Sequence, residues 1–228
     1  MDEIVERALG YPYDRPAGSF LFDARTGRAT VTEATELDIA GRHAVLAIGS
    51  NAAPIRLAQK LHGFAGDPCI PVVAVELFDH DVVYAATIAS YGSVPATLVA
   101  SPGTQVAVHV TVLDDEQLEL MNTSEISAYT LEVVARERVR SLVALPHPIW
   151  AYVASAGPVS SEGRPIALAA VRATDRIYRA MSEAVLLGRL AQQHRLDLGE
   201  FVRRLVTDRA SRVDAIEVLR TSGVPSGP

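Results

Sequence analysis

The sequence predicts an α+β fold: a small mixed or antiparallel β barrel with surrounding helices. Three observations carry this. Short apolar runs, bounded by turn residues, crowd the middle of the chain. One of them, Gln105 to Leu113, alternates cleanly, with Val106, Val108, Val110 and Val112 on one face and Ala107, His109 and Thr111 on the other. Toward the C-terminal part the apolar spacing becomes helical. Many short strands with few long helices fit a small barrel better than layered helices.

The elements follow in order. Residues 1–40 read as an N-terminal extension, with Ile4, Val5 and Ala8 on one short helix. Tyr11 to Pro16 is not helical, because Pro12 and Pro16 fix their own backbone and restrict the residue before each. Ser19 to Phe22 and Ala29 to Thr32 flank a glycine-containing turn and pair as a hairpin. The aromatic residues here are expected to pack on the main domain's surface, with covering a site as the alternative. Residues 41–165 form the barrel. His43 to Ile48 is a strand, and Ile55 to Leu61 is a short helix opened by Pro54. Val72 to Leu77 and Val82 to Ile88 are strands joined by a turn at Phe78 to Asp81. Val94 to Ala100 is a strand, separated from Gln105 to Leu113 by the turn Ser101-Pro102-Gly103. Asp115 to Met121 makes one or two helical turns, and Tyr129 to Ala135 and Trp150 to Ala154 are further strands. Residues 166–221 form a helical segment packing on the barrel. A helix spans Asp175 to Gln193, a second follows the cap at Asp197 with Glu200 three residues on, and a third covers Val213 to Leu219. Residues 222–228, rich in Gly, Pro and Ser, read as a flexible tail.

Composition narrows the function classes. The 228 residues carry 27 acids against 21 Lys and Arg, a formal charge of -6, and no element gathers a basic stripe, so no nucleic-acid partner is expected. No apolar run approaches the ~20 residues of a membrane-spanning helix, so no membrane partner is expected. The acidic start Met1-Asp2-Glu3 lacks the basic region of a signal peptide, and a cytoplasmic location is expected. A single cysteine, Cys69, excludes an intramolecular disulfide and a multi-cysteine zinc site.

Among residues that could do chemistry, Gly49-Ser50-Asn51 follows an apolar strand and precedes a proline-started helix. Glycine lets a ligand approach the backbone closely, and the following amides can point into a concavity that suits a carboxylate. Glu125 lies just past a short helix and before a strand. Asp79-His80-Asp81 has metal-ligand residue types but sits where a turn is expected, so no metal site is assigned. His109 reads as a hydrogen-bonded structural histidine, His147 as a loop residue, and Cys69 as a small apolar one.

Taken in order, these residues resemble the gamma-glutamylcyclotransferase family. The resemblance runs from about His43 to Leu205. It rests on Leu46-Ala47-Ile48-Gly49-Ser50-Asn51, then on Tyr91 to Leu98 and Ser101 to Val106. Leu118, Met121, Glu125 and Tyr129 follow, and later Tyr152, Tyr178 and the segment Leu196 to Val202. Residues 1–40 have no counterpart in it. The resemblance implies cleavage of a gamma-glutamyl-type amide by intramolecular cyclisation, giving 5-oxoproline and a free amine. It implies Glu125 as general acid/base, a substrate-binding loop at Ile48, Gly49, Ser50 and Asn51, and Tyr129 lining the pocket. It implies a small-molecule substrate and no metal or other cofactor. Three departures stand out: Ile48 where the family has tyrosine, Val108 where glycine is common, and Ile126 where a glycine often follows the glutamate. They keep two alternatives open, an acid/base enzyme acting on another small amide or amine conjugate and a non-catalytic small-ligand-binding protein of the same fold.

Overall fold

The computed structural model describes residues 2–125, 127–221 and 223–224. Among the described residues, eight strands carry the main sheet and the hairpin at its edge. They are β1 (Phe20–Asp23), β2 (Arg28–Val31), β3 (His43–Ala47), β4 (Cys69–Tyr84), β5 (Ala96–Leu113), β6 (Tyr129–Val134), β7 (Val139–Arg140) and β8 (Ile149–Ala154). Five two-residue pieces complete the set: β9 (Ser160–Ser161), β10 (Arg164–Pro165), β11 (Ala167–Leu168), β12 (Ala173–Thr174) and β13 (Ala180–Met181). Six α-helices are present among the described residues: α1 (Glu3–Leu9), α2 (Pro54–Lys60), α3 (Asp115–Glu125), α4 (Glu183–Gln193), α5 (Leu198–Thr207) and α6 (Arg209–Thr221).

This is a mixed α+β fold built on one large, mostly antiparallel sheet, ordered β13-β11-β4-β5-β3-β8-β6. The expected barrel is not formed. The path ends in β13 on one side and β6 on the other, and these two strands do not pair. Among the described residues, only β3 with β8 and β11 with β13 run parallel.

Four strands expected in the middle of the chain are in fact two. β4 and β5 form one long antiparallel ribbon, paired from Val72↔Thr111 to Tyr84↔Ala96 with a register shift between Phe78 and His80. The residues read as turns are the bulge. Asp79 has φ 54° and Gly103 opposite has φ 84°, and the Asp79 carboxylate accepts the Gly103 N–H at 2.7 Å. Between the pairs Phe78↔Gln105 and His80↔Ala100, residues 101–104 of β5 stand opposite Asp79 alone, and these three extra residues kink the ladder without ending it. Asp81 emerges from the kink pointing inward, fully buried, where its carboxylate takes a bidentate pair of hydrogen bonds from Arg176.

Alternation divides the core between two faces. Ala44, Leu46, Val73, Val75 and, from β5, Val106, Val108, Val110 and Val112 pack with α1, α4, α5 and α6. Val45, Ala47 and Val72 pack against Phe20, Phe22, Leu57 and Met121, which come from β1, α2 and α3. The predicted hairpin is present as β1–β2, and β1 also pairs with β4, so residues 20–23 belong to the main sheet.

Two helices differ in extent from expectation. α3 runs to Glu125, about three turns. The helix expected from Asp175 starts only at Glu183, where Ser182 caps it by accepting the Val185 N–H at 3.3 Å. Before that point Asp175 has φ 52°, Arg176 is committed to Asp81, and Ala180–Met181 pairs with β11. Tyr178 therefore lies outside any helix, donating its hydroxyl to Ala100 O at 3.1 Å. The Asp197 cap is present, its carboxylate accepting the Glu200 N–H at 2.9 Å. Of the expected tail, Gly223 and Val224 are described. Val224 is buried, and its N–H donates to Ser160 O at 2.9 Å. Met1, Ile126, Ser222 and residues 225–228 lie outside the described residues.

Candidate active site

The end of β3, the loop 48–51, α2, residues 87–96, the end of α3 and the start of β6 meet around a cavity of about 510 Å³. Ile48, Gly49, Ser50, Asn51, Glu125 and Tyr129 all line it. Every residue singled out by the sequence for a site thus reaches one cavity, although Asn51 and Glu125 lie 74 positions apart.

Glu125 is largely enclosed, its side chain 15% exposed. Its Oε1 accepts from Asn51 Nδ2 at 3.4 Å and forms a close ion pair with Lys60. Lys60 Nζ also donates to Asn51 Oδ1 and Ser124 Oγ, each at 2.9 Å. Burial pushes the Lys60 ammonium down, and the Glu125 carboxylate pulls it back up. The carboxylate is therefore held in place by an amide and an ammonium, and the loop and the acid/base candidate form one hydrogen-bonded unit.

Tyrosines supply much of the remaining wall. Tyr129 donates its hydroxyl to Ala96 O at 3.3 Å, and Tyr152 donates to Asn122 Oδ1 at 2.6 Å. Burial first, then the Glu125 charge, raises both phenols. The Arg56 guanidinium lies over the Tyr91 ring at 4.7 Å from its centroid. Burial pushes the Tyr91 phenol up to about 12, with Arg56 opposing.

Gly49 has a different reason for being glycine than the sequence suggests. Its φ is -112°, outside the left-handed region. A Cβ there would overlap the Tyr11 hydroxyl and stand 3.3 Å from Tyr11 Cζ. That hydroxyl accepts the Ala96 N–H at 2.7 Å, and Arg15 Nη1 donates to Gly49 O at 2.7 Å. Residues 11–15 thus brace the loop from behind. Tyr11 is buried, and it stands in the wall itself rather than lying over the site as a surface cover.

Sequence reasoning missed Lys60, Arg56, Tyr11 and Arg15. The spacing of Arg56 and Lys60 was a usable signal, because positions i and i+4 of a helix share a face, and α2 leaves directly from the loop. Nothing local marks Tyr11 or Arg15, whose contacts are entirely long-range.

The other candidates lie elsewhere. His109 is buried in β5, its Nε2 3.3 Å from Gly18 O, and burial, then the Arg15 charge, pushes it down to about 4. Burial, then Asp67, pushes the Cys69 thiol up, away from a reactive thiolate. Among the described residues no group of three or more His, Cys, Asp or Glu is placed to hold a metal ion. Among them, too, no helix is long and apolar enough to cross a membrane.

No family model matches the sequence, and no curated protein matches it. Among solved structures, similarity is found to a gamma-glutamyl cyclotransferase, 18% identical with a TM-score of 0.38, over 50% of this chain and 67% of that one. An uncharacterized protein from Homo sapiens gives the same values. A protein from Arabidopsis thaliana, solved in solution, is 15% identical with a TM-score of 0.35, over 52% of this chain and 72% of that one. These are distant likenesses, and no part of the site's chemistry rests on them.

Proposed function

We propose that the chain cleaves a gamma-glutamyl-type amide by intramolecular cyclisation, with Glu125 as the general acid/base. The observation that carries this reading is the enclosed Glu125 carboxylate, tied through Asn51 to the Gly49-Ser50-Asn51 loop inside one cavity. The loop opens a short 3-10 helix at Ser50–Ala52, whose first N–H groups have no partners within the helix. They are suited to the substrate's alpha-carboxylate. Holding that end brings the alpha-nitrogen toward the gamma-carbonyl, which supplies proximity.

The steps balance without a co-reactant. Glu125 takes a proton from the alpha-ammonium, and the freed nitrogen attacks the gamma-carbonyl carbon. A new carbon–nitrogen bond closes the five-membered lactam as the bond to the leaving amine breaks. Glu125 returns its proton to the leaving nitrogen. Over the whole reaction the ammonium gives up two protons, which Glu125 carries to the leaving nitrogen one after the other. One stays on the lactam nitrogen, and the amine departs protonated. Lys60 keeps the carboxylate fixed while the proton moves.

A second reading has its own support. The Lys60–Glu125 pair already satisfies the carboxylate, as a structural ion pair in a ligand-binding protein would. Glu125→Gln separates the two. Glutamine keeps the size and can still accept from Asn51, but it cannot carry the proton at working pH. Turnover of a gamma-glutamyl amide panel, read as 5-oxoproline by mass spectrometry, should fall by roughly 10² to 10⁴-fold. A folded variant with normal turnover would remove Glu125 from the chemistry. Release of a free amine without 5-oxoproline would point instead to another small amide or amine conjugate.

A further inference from the structure

A second cavity, about 730 Å³, lies against residues 10–17, and Tyr11 borders both it and the cavity at Glu125. Its floor is formed by Ala74, Ala107 and His109 of the long ribbon, on the face where Phe20 meets the His109 ring, and Leu142, 84% exposed, stands at its rim. A volume of this size suits a small organic ligand (~300–1,000 Å³).

Charge selects the class of ligand. Three guanidiniums, Arg15, Arg140 and Arg172, face two carboxylates, Asp14 and Glu76. Arg140 is spent on Glu76 at 3.1 Å. His109 is neutral at pH 7, since burial and the Arg15 charge hold it down at about 4. Arg15 is half-buried, and among the described residues it has no carboxylate partner. One of its N–H groups is committed to Gly49 O at 2.7 Å. A guanidinium has five such donors, so an anion can be received on the others. The remaining wall is mostly apolar, with Pro12, Pro16, Ala17 and Val108 in it.

We propose that this second cavity is a regulatory site for a small organic acid with an apolar body, whose carboxylate pairs with Arg15 and whose occupancy alters the Gly49 loop. The coupling has a physical route. Arg15 holds the Gly49 carbonyl, and the Tyr11 hydroxyl packs at the Gly49 Cα while accepting from Ala96. Drawing the guanidinium toward an anion changes its bond to the loop, and by linkage a ligand on the loop changes affinity for the acid by the same factor. Binding of the acid does not depend on the chemistry assigned to Glu125.

The test is a backbone-amide NMR titration of the full chain with 4-phenylbutyrate, with 4-phenylbutan-1-ol and inorganic phosphate as comparisons. The acid should shift the amides of Ala107 and His109 and those of Gly49, Ser50 and Asn51 with one saturation curve. The alcohol should bind at least about 10-fold more weakly, the worth of one charge-assisted hydrogen bond. Phosphate, lacking the apolar body, should not saturate. Ala107→Phe fills the cavity while leaving Arg15 and Gly49 in place, and should abolish both sets of shifts. If that variant fails to fold, Arg15→Met should weaken the acid to the level of the alcohol. No saturable shift at millimolar acid, equal binding of acid and alcohol, or saturation by phosphate at the same amides would each overturn the site. Shifts at Ala107 and His109 with Gly49 to Asn51 unmoved would overturn its regulatory role.

Discussion

Gly49→Ala tests whether the loop is shaped by Tyr11. The added Cβ would overlap the Tyr11 hydroxyl. Overpacking of this kind costs about 1–3 kcal/mol. Tyr11→Phe removes the hydroxyl and leaves the buried Ala96 N–H without its acceptor, a loss of about 1–3 kcal/mol. If the two sites were independent, the double variant would lose the sum, about 2–6 kcal/mol. The geometry says otherwise. With the hydroxyl gone, the nearest ring atom to the new Cβ is Cζ at 3.3 Å, a tight contact that a small shift of the ring relieves. The double variant should therefore cost little more than Tyr11→Phe alone, a coupling of about 1–3 kcal/mol. Any backbone cost of alanine at Gly49 appears on both arms of the cycle and cancels. Urea unfolding of the four proteins gives each stability, with a constant slope m as the check on comparable unfolding. Additivity within about 0.5 kcal/mol would refute the assignment of Tyr11 as the neighbour that makes position 49 glycine.

Other expectations follow from buried charges. Lys60→Met should destabilise by about 3–5 kcal/mol, because it breaks an enclosed ion pair by removing one partner, and adding Glu125→Gln should return most of the loss in denaturant titrations. Arg176→Met should cost a similar ~3–5 kcal/mol by stranding the fully buried Asp81 carboxylate, seen as a lower melting temperature with little change in turnover. Glu183 is buried with its Oε1 accepting the Val94 N–H at 2.7 Å and its Oε2 without a partner, and burial raises its pKa well above 4.5. The folded state therefore holds a proton that the unfolded chain releases. This stability is complete below about pH 4.5 and is lost as pH rises toward the folded value, at up to about 1.4 kcal/mol per pH unit. Glu183→Gln should remove that slope in melting temperatures measured from pH 5 to 8. His109 acts at the other end. Its depressed pKa contributes stability above about pH 6.5 that is lost as pH falls toward about 4, and replacing it with Gln should flatten the acid limb.

What was legible in the sequence was whatever local pattern determines. The four alternating valines of β5 name a core face that the structure keeps. The Gly49 loop, Glu125 and Tyr129 were locally weak signals, joined into one expected site only by the family resemblance that their order carries, and they line one cavity. Asp79 and Gly103 misled because a bulge and a turn use the same residue types: both need left-handed backbone, and only the pairing on either side separates them. Barrel closure was not legible because it depends on whether two distant edge strands meet, which no window of sequence contains. The helical spacing from Ile177 onward belonged partly to an exposed segment, Ile177 itself being 48% exposed, tied down by Arg176 reaching Asp81 95 positions away. Tyr11 and Arg15 were invisible for the same reason. Their partners are distant in the chain and carry no motif of their own.

The bracing of the loop by Tyr11 and Arg15 also ties an early part of the chain to one that is made late. Residues 3–9 form the helix that leads into the brace. That helix packs on α5, with Arg203 pairing with Asp2 at 3.2 Å and Ser93 donating to Ala8 O at 2.8 Å. A chain emerging from the ribosome can pair β3 with β5 long before residue 203 has been added. The strand bearing the loop can then be in place while the helix that leads into its brace still lacks the α5 part of its seat. A chain arrested before α5 would hold Tyr11, Gly49 and the Ser93 contact to Ala8, but its first helix would lack the α5 surface on which it packs.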